Sequence, residues 1–385
     1  MWRRLAEARA AFQQALQLNQ DFPARDECRQ CLAVLAIDAA TAGADQRAWL
    51  EKRVAAQPRD AVALMRLAAI CQREGAVDKA MAACQAALQA TPQNVQAMVN
   101  LARLYEPVDL PKAFTLAKAA YDLNPNDPQV SHTMGWLALL SGDPQWALNL
   151  LQLTDRIQPQ NPEVLYDLAQ ACYSMDRLAE AVAAMRAALQ TGTPFSRSAD
   201  ARRFLAMADF LDQAAPAPTA QAQIDDLLKS TPDYVPALMA KAFLAGQKPD
   251  PAAAAQIYQE LLARHPDFIP AQKRLAFLYA RMPDRRDQAY ALAVKVRQAL
   301  PDDSALAKTL GILTYLRGDF PRASDLLQES VRQRKSDAEL LYYLGMAQYH
   351  QNNRAESRSS LQRALDLNLS GDEALEARKT LTELK

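Results

Sequence analysis

Apolar residues along this chain recur at the three-and-four spacing of one helical face, and the pattern itself returns about every 34 residues. In the copy from Ala61 to Asn94, Leu64, Leu67, Ala68 and Cys71 fall on one face of a first helix. Gly75 breaks that helix, and Asp78 to Ala90 forms a second with Ala80, Cys84, Ala87 and Leu88 turned inward. Thr91-Pro92 ends it, because the residue before a proline is pushed out of the helical region. Runs that alternate apolar and polar residues, as half-buried strands do, are lacking. The pattern therefore predicts helices in antiparallel pairs and no sheet.

Two small residues mark each copy. The first falls at Ala68, Ala102, Gly135, Ala169, Ala206, Ala242, Ala276, Gly311 and Gly345. The second follows about twelve residues later, at Ala80, Ala113, Ala147, Ala181, Ala220, Ala254, Ala289, Ala323 and Ser357. Both let the two helices of a pair approach closely. Proline closes most copies, at Pro58, Pro92, Pro125, Pro159, Pro232, Pro266 and Pro301. A fixed period of this length marks a stacked solenoid, whose copies bury a continuous core against their neighbours. Such a fold offers a long surface rather than a reactive pocket.

Paired helices, a leucine followed by a small residue, bulk three further on, alanine in the second helix and a closing proline resemble the tetratricopeptide repeat (TPR). The resemblance covers essentially the whole chain. It implies an all-α, right-handed α-solenoid (a superhelix) of about ten helix-turn-helix repeats with a C-terminal capping helix. Copies start near residues 27, 61, 95, 128, 162, 199, 235, 269, 304 and 338, a tandem array over 27–371. The copy from Glu27 is degenerate, with Val34 where the small residue belongs. Other deviations fall in loops: Thr193 to Arg197 lengthen one junction, and Ala214 to Thr219 lengthen one turn. Lys241 stands where a leucine is expected and weakens its copy.

The ends differ. Residues 1–26 hold a half-repeat or cap, in which Leu5 to Leu18 resembles a second helix with Ala8, Phe12 and Ala15 at the matched points. Either this lone helix caps the array, or the chain is cut within a repeat of a longer protein; the fit of Phe12 and Ala15 to the repeat favours the second. Residues 372–385 form a solvating helix. Ser370-Gly371-Asp372-Glu373 reads as a capping box, and Ala374, Ala377, Leu381 and Leu384 form one apolar stripe.

Composition narrows the function. Half the residues are apolar (50%), enough to bury a core between neighbouring copies. Lysine plus arginine equal aspartate plus glutamate at 44 each, so no global field draws nucleic acid or an anionic membrane. No run of about 18 apolar residues exists, which argues against direct membrane insertion. Met1-Trp2-Arg3-Arg4 leads into an amphipathic helix without the apolar stretch of a signal peptide. As it stands the chain fits the cytoplasm, or the cell envelope or periplasm if an export signal has been removed. It is expected to be mostly monomeric unless its N-terminal face self-associates.

Catalytic chemistry is not evident. Of the five cysteines, Cys28-x-x-Cys31 has metal or redox spacing, but it lacks a second pair and a nearby histidine. Cys71, Cys84 and Cys172 take core positions, where cysteine acts as a small apolar residue. His132, His265 and His350 lie in different copies. No phosphate-binding glycine loop or zinc-protease motif occurs. No enzyme activity, cofactor or metal is expected.

The family resemblance implies that the first helix of each pair lines an inner, concave face. Repeat positions 2, 5, 9 and 12 lie about 100° round the helix from the core side and would face a groove. They supply His132, Trp136, Tyr166, Tyr173, Arg203, Met239, Phe243, Lys273, Phe277, Lys308, Tyr315, Tyr342, Met346 and Tyr349, together with Arg103, Gln170, Met207 and Phe210. Aromatic and methionine side chains there would anchor partners. The alternative is that a tightly wound superhelix buries these side chains against one another. Trp136, Tyr166, Phe243, Phe277 and Tyr342 are expected to be partly exposed, and Lys273 with Lys308 to favour an acidic stretch in the partner.

A clamp for a peptide's terminal carboxylate, which some family members build from lysine and asparagine on three consecutive copies, is disfavoured: Asn100 and Lys273-Arg274 match only isolated points. The leading function is a non-catalytic scaffold for protein or peptide segments. Ala255 to Leu262 and Ala364 to Ser370 resemble bacterial arrays of exopolysaccharide and exosortase systems. An envelope accessory for polysaccharide or surface-protein export is therefore an alternative. The regulatory or substrate-binding half of a larger enzyme, such as a glycosyltransferase, is another.

Overall fold

The computed structural model describes residues 2–18, 22–212, 219–247 and 251–384. These residues form α-helices joined by turns, with no strand among them. They group into two compact units, Met1–Asp167 and Leu168–Lys385. Each unit is built from antiparallel helix pairs. In the first, Ala61–Arg73 packs on Val77–Ala90, Val95–Tyr105 on Leu110–Leu123, and Pro128–Leu140 on Pro144–Ile157. In the second, Ile269–Ala280 packs on Arg286–Ala299, Ser304–Leu316 on Phe320–Gln333, and Ala338–His350 on Arg354–Asp366.

Local chemistry sets the helix starts. Asp60, Asn94, Asp303 and Asp337 each precede a first helix and accept a backbone N–H three residues on, from Ala63, Ala97, Leu306 and Leu340. Each side chain thereby satisfies one of the amide donors that a helix leaves unpaired at its N-terminus. Glycine at positive φ ends several helices, as at Gly75 (φ 74) and Gly318 (φ 83), where a side chain would strain the turn.

Small residues sit where the helices of a pair cross. Ala68, Ala80, Ala102, Ala113, Ala147, Ala181 and Ala323 are buried, and Val34 is buried at the corresponding point of the degenerate copy. A methyl group placed on Gly345 would stand 2.7 Å from Leu361 Cγ and 3.1 Å from the Leu361 backbone nitrogen. Replacing a glycine inside a helix by alanine ordinarily stabilises by about 1 kcal/mol. Here the sign should reverse: Gly345→Ala is expected to cost on the order of 1–3 kcal/mol through overpacking. A raised melting temperature would show instead that Leu361 yields freely.

One copy has a different register from the one its sequence suggests. Ala206 is exposed, whereas Ala208 is buried together with Phe204 and Met207 on the helix Ser198–Asp212. Ala208 stands twelve residues before the buried Ala220, the spacing most other copies keep. Counting through the loose junction at 193–197 slips the frame by two residues. As a result Met207 and Phe210 are core side chains, and Arg203 is an exposed side chain 3.9 Å from Asp200. The lengthened turn after Ala214 lies outside the described residues except for Thr219.

Both ends carry single helices. Ala8, Phe12 and Ala15 are half-buried on Trp2–Leu18, which packs beside Arg25–Ala36. At the other end Gly371–Glu383 lies on the last pair and buries Ala374 and Ala377, and Leu384 is buried just beyond it. Ser370 makes no side-chain capping bond, so the capping box is not formed. Glu373 instead accepts from the Tyr343 hydroxyl at 3.4 Å.

Candidate functional site

The side chains expected to face a groove divide into two groups. Tyr166, Tyr173, Met239, Lys273, Tyr342 and Met346 are buried, whereas His132, Trp136, Phe243, Phe277, Lys308, Tyr315 and Tyr349 are half-buried. The physical reason is clearest at position 5, which lies on the seam between successive first helices. His132 Nε2 is 2.7 Å from Asp167 of the following copy. Lys273 Nζ donates to Asp303 at 2.6 Å and to Asp176 at 2.5 Å. Lys308 Nζ donates to Asp337 at 2.9 Å and lies 2.7 Å from Glu339.

These contacts correct three expectations. Lys273 and Lys308 are already neutralised from within the chain, so neither is a spare charge for an acidic partner. Tyr342 is not partly exposed, because its hydroxyl donates to Glu376 of the last helix at 2.5 Å and its ring is covered. Tyr166 is buried as well. Asp303 and Asp337 serve twice, as helix caps and as cation partners. Burial pushes each carboxyl up, but the lysine ammonium and the capped N–H outweigh it and hold each below the usual aspartate range.

Tyr173 is enclosed by the rings of Phe204 and Phe268, with centroids 5.1 and 5.5 Å away. Burial pushes its hydroxyl far up. Toward the C-terminus Tyr315, Phe320, Tyr343 and His350 form a second aromatic group, in which His350 stacks on Phe320 at 4.1 Å. The four rings pack on one another.

An open groove lies instead on earlier copies of the first unit. A cavity of about 320 Å³ is lined by Val62, Met65, Arg66 and Ala69 of one first helix. Asn94 lines it from the end of the same copy, Gln96 and Asn100 from the next, Gln129 from the third, and Asp38 with Ala39 from the copy before. Val62, Met65, Ala69, Gln96 and Gln129 hold repeat positions 2, 5 and 9, the positions assigned to the groove. None of these five is aromatic, and small and polar side chains are what leave a cavity.

Cys71, Cys84 and Cys172 are buried thiols. Burial pushes Cys84 up to about 12 and Cys172 to about 11. Burial, then Glu27, raises Cys31, whose Sγ donates to Glu27 at 3.5 Å. Among the described residues no group of three histidine, cysteine or acidic side chains could hold a metal ion. None of the described helices is long and apolar enough to cross a membrane.

Tetratricopeptide-repeat family models match residues 32–95, 138–201 and 309–372, and these segments are helical along most of their length. The chain is a tetratricopeptide-repeat protein. Several solved structures are similar to this TPR protein. One is a thermophilic TPR protein from Thermus thermophilus, at 24% identity over 42% of this chain and 88% of that one, TM-score 0.35. Another is YrrB, a TPR protein with an unusual peptide-binding site, at 18% identity over 50% of this chain and 97% of that one, TM-score 0.37. The APC/C hetero-tetramer Cut9–Hcn1 matches at 14% identity over 87% of this chain and 85% of that one, TM-score 0.38. No curated protein matches the TPR chain in sequence. Its repeats make it a protein-interaction scaffold.

Proposed function

We propose that this TPR protein is a non-catalytic scaffold that holds an extended partner segment along the inner face of its first helices. The observation that carries the reading is the groove of about 320 Å³ in the first unit, which runs over three consecutive copies from Val62 to Gln129. An apolar floor with a few polar groups at its rim is the usual build of a recognition site. The half-buried His132 and Trp136 extend the surface in the first unit. Phe243, Phe277, Tyr315 and Tyr349 offer partly open aromatic surface in the second.

A displayed library of twelve-residue peptides, selected on the full chain, tests this reading. Met65→Trp fills the groove floor and should reduce retention of the enriched peptides by about tenfold or more, with the melting temperature unchanged. Arg186→Glu, at an exposed site 3.6 Å from Asp209, should leave retention intact. If Met65→Trp retains the peptides as the parent does, the groove is not where they bind.

A further inference from the structure

We infer that the partner of the first-unit groove is an extended peptide segment carrying an apolar side chain beside an aspartate or glutamate. The inference rests on the groove reading above and adds the chemistry of what fills it. Its basis is the polar capacity the groove leaves unused. Asn94 Oδ1 accepts the Ala97 N–H at 3.1 Å, which turns the amide nitrogen of Asn94 outward as a donor. Asn100 Oδ1 accepts from Gln96 Nε2 at 2.9 Å, which leaves the Asn100 amide nitrogen to donate as well. Arg66 lines the same wall, half-buried and without a carboxylate partner among the described residues.

The one acidic lining residue is already engaged. Asp38 accepts the Ala40 N–H at 3.0 Å and the Thr41 hydroxyl at 3.5 Å. What remains is a guanidinium and two amide donors above the apolar floor of Val62, Met65 and Ala69. A half-buried guanidinium is satisfied best by a carboxylate, through a charge-assisted and often bidentate pair. The apolar floor accepts a side chain such as leucine. The lining runs past Arg66 on both sides, from Asp38 on the copy before to Gln129 two copies on, so a peptide can pass through. The carboxylate is therefore assigned to a side chain rather than to a chain end.

The test uses the full chain and three pools of fluorescein-labelled nonapeptides with blocked termini. Their central pair is Leu-Glu, Leu-Gln or Leu-Lys, and their flanks are randomised among alanine, serine and glycine. The parent should bind the Leu-Glu pool about tenfold more tightly than the Leu-Gln pool and bind the Leu-Lys pool least, with the preference shrinking as salt is raised. Arg66→Gln should erase the Glu-over-Gln preference while holding the Leu-Gln pool as the parent does. Equal binding of the Leu-Glu and Leu-Gln pools, or a preference that survives Arg66→Gln, overturns this inference and leaves the groove reading standing. Binding that requires a free C-terminal carboxyl, in a fourth pool with that terminus unblocked, overturns the side-chain assignment. If no pool binds the parent better than it binds Met65→Trp, the groove reading falls and this inference falls with it.

Discussion

Lys273→Ala is expected to destabilise the second unit by roughly 3–5 kcal/mol, the usual cost of stripping one partner from a buried ionic cluster. Lys273 is 9% exposed, and its ammonium is shared by Asp176 and Asp303. Removing it leaves two carboxylates facing each other with no cation between them. Lys273→Met, which keeps the aliphatic stem, should cost less. The effect carries a pH signature. The folded Asp303 carboxyl lies below its unfolded value, so its contribution is present above about pH 4 and is lost as pH falls through the depressed folded value. The stability gap between parent and Lys273→Met should therefore narrow between pH 7 and pH 3 in denaturant titrations. A gap that does not change with pH would mean that the ammonium is not paired in solution.

Lys273 also illustrates where a linear reading stops. Periodicity separates its position from the core stripe of its own helix. What periodicity cannot supply is the neighbour. Whether position 5 meets solvent or the capping aspartate of the next copy depends on how successive pairs stack. Asp303 and Asp337 cap the helices they precede, and nothing local marks them as partners of a lysine one copy back. The pairs themselves were legible, because leucine spacing, small residues and prolines each act within about 34 residues. The copy after Thr193 was misframed for the same reason: an irregular junction leaves no local signal that resets the count, and only the burial of Ala208 rather than Ala206 does so. The groove was the hardest feature to anticipate. Aromatic side chains draw the eye but fill space, whereas the cavity opens where Val62, Met65 and Ala69 fall short of filling it.

Deletion of residues 370–385 should lower the melting temperature of the second unit and cause self-association. The helix Gly371–Glu383 covers the last pair much as the first helix of a further copy would. Ala377 and Leu384 join Leu340, Leu361 and Ala364 in one core, and Thr380 packs on Met346. Each aliphatic side chain returned to water costs about 1.5–3 kcal/mol, so the deletion should remove several kcal/mol from this end of the array. It also leaves polar groups unpaired. Tyr342, Tyr343 and Tyr349 donate their hydroxyls to Glu376, Glu373 and Glu383, at 2.5, 3.4 and 2.7 Å. Without those carboxylates the Tyr342 ring would lie at the edge of an open apolar face. Stability in a repeat array is coupled mainly between neighbours, so the damage should begin locally. Hydrogen exchange should accelerate first in Ala338–His350 and Arg354–Asp366, while Val235–Gly246 keeps its protection. A truncated chain that scatters light as a monomer, with an unchanged melting temperature, would show that the last helix covers nothing the array needs.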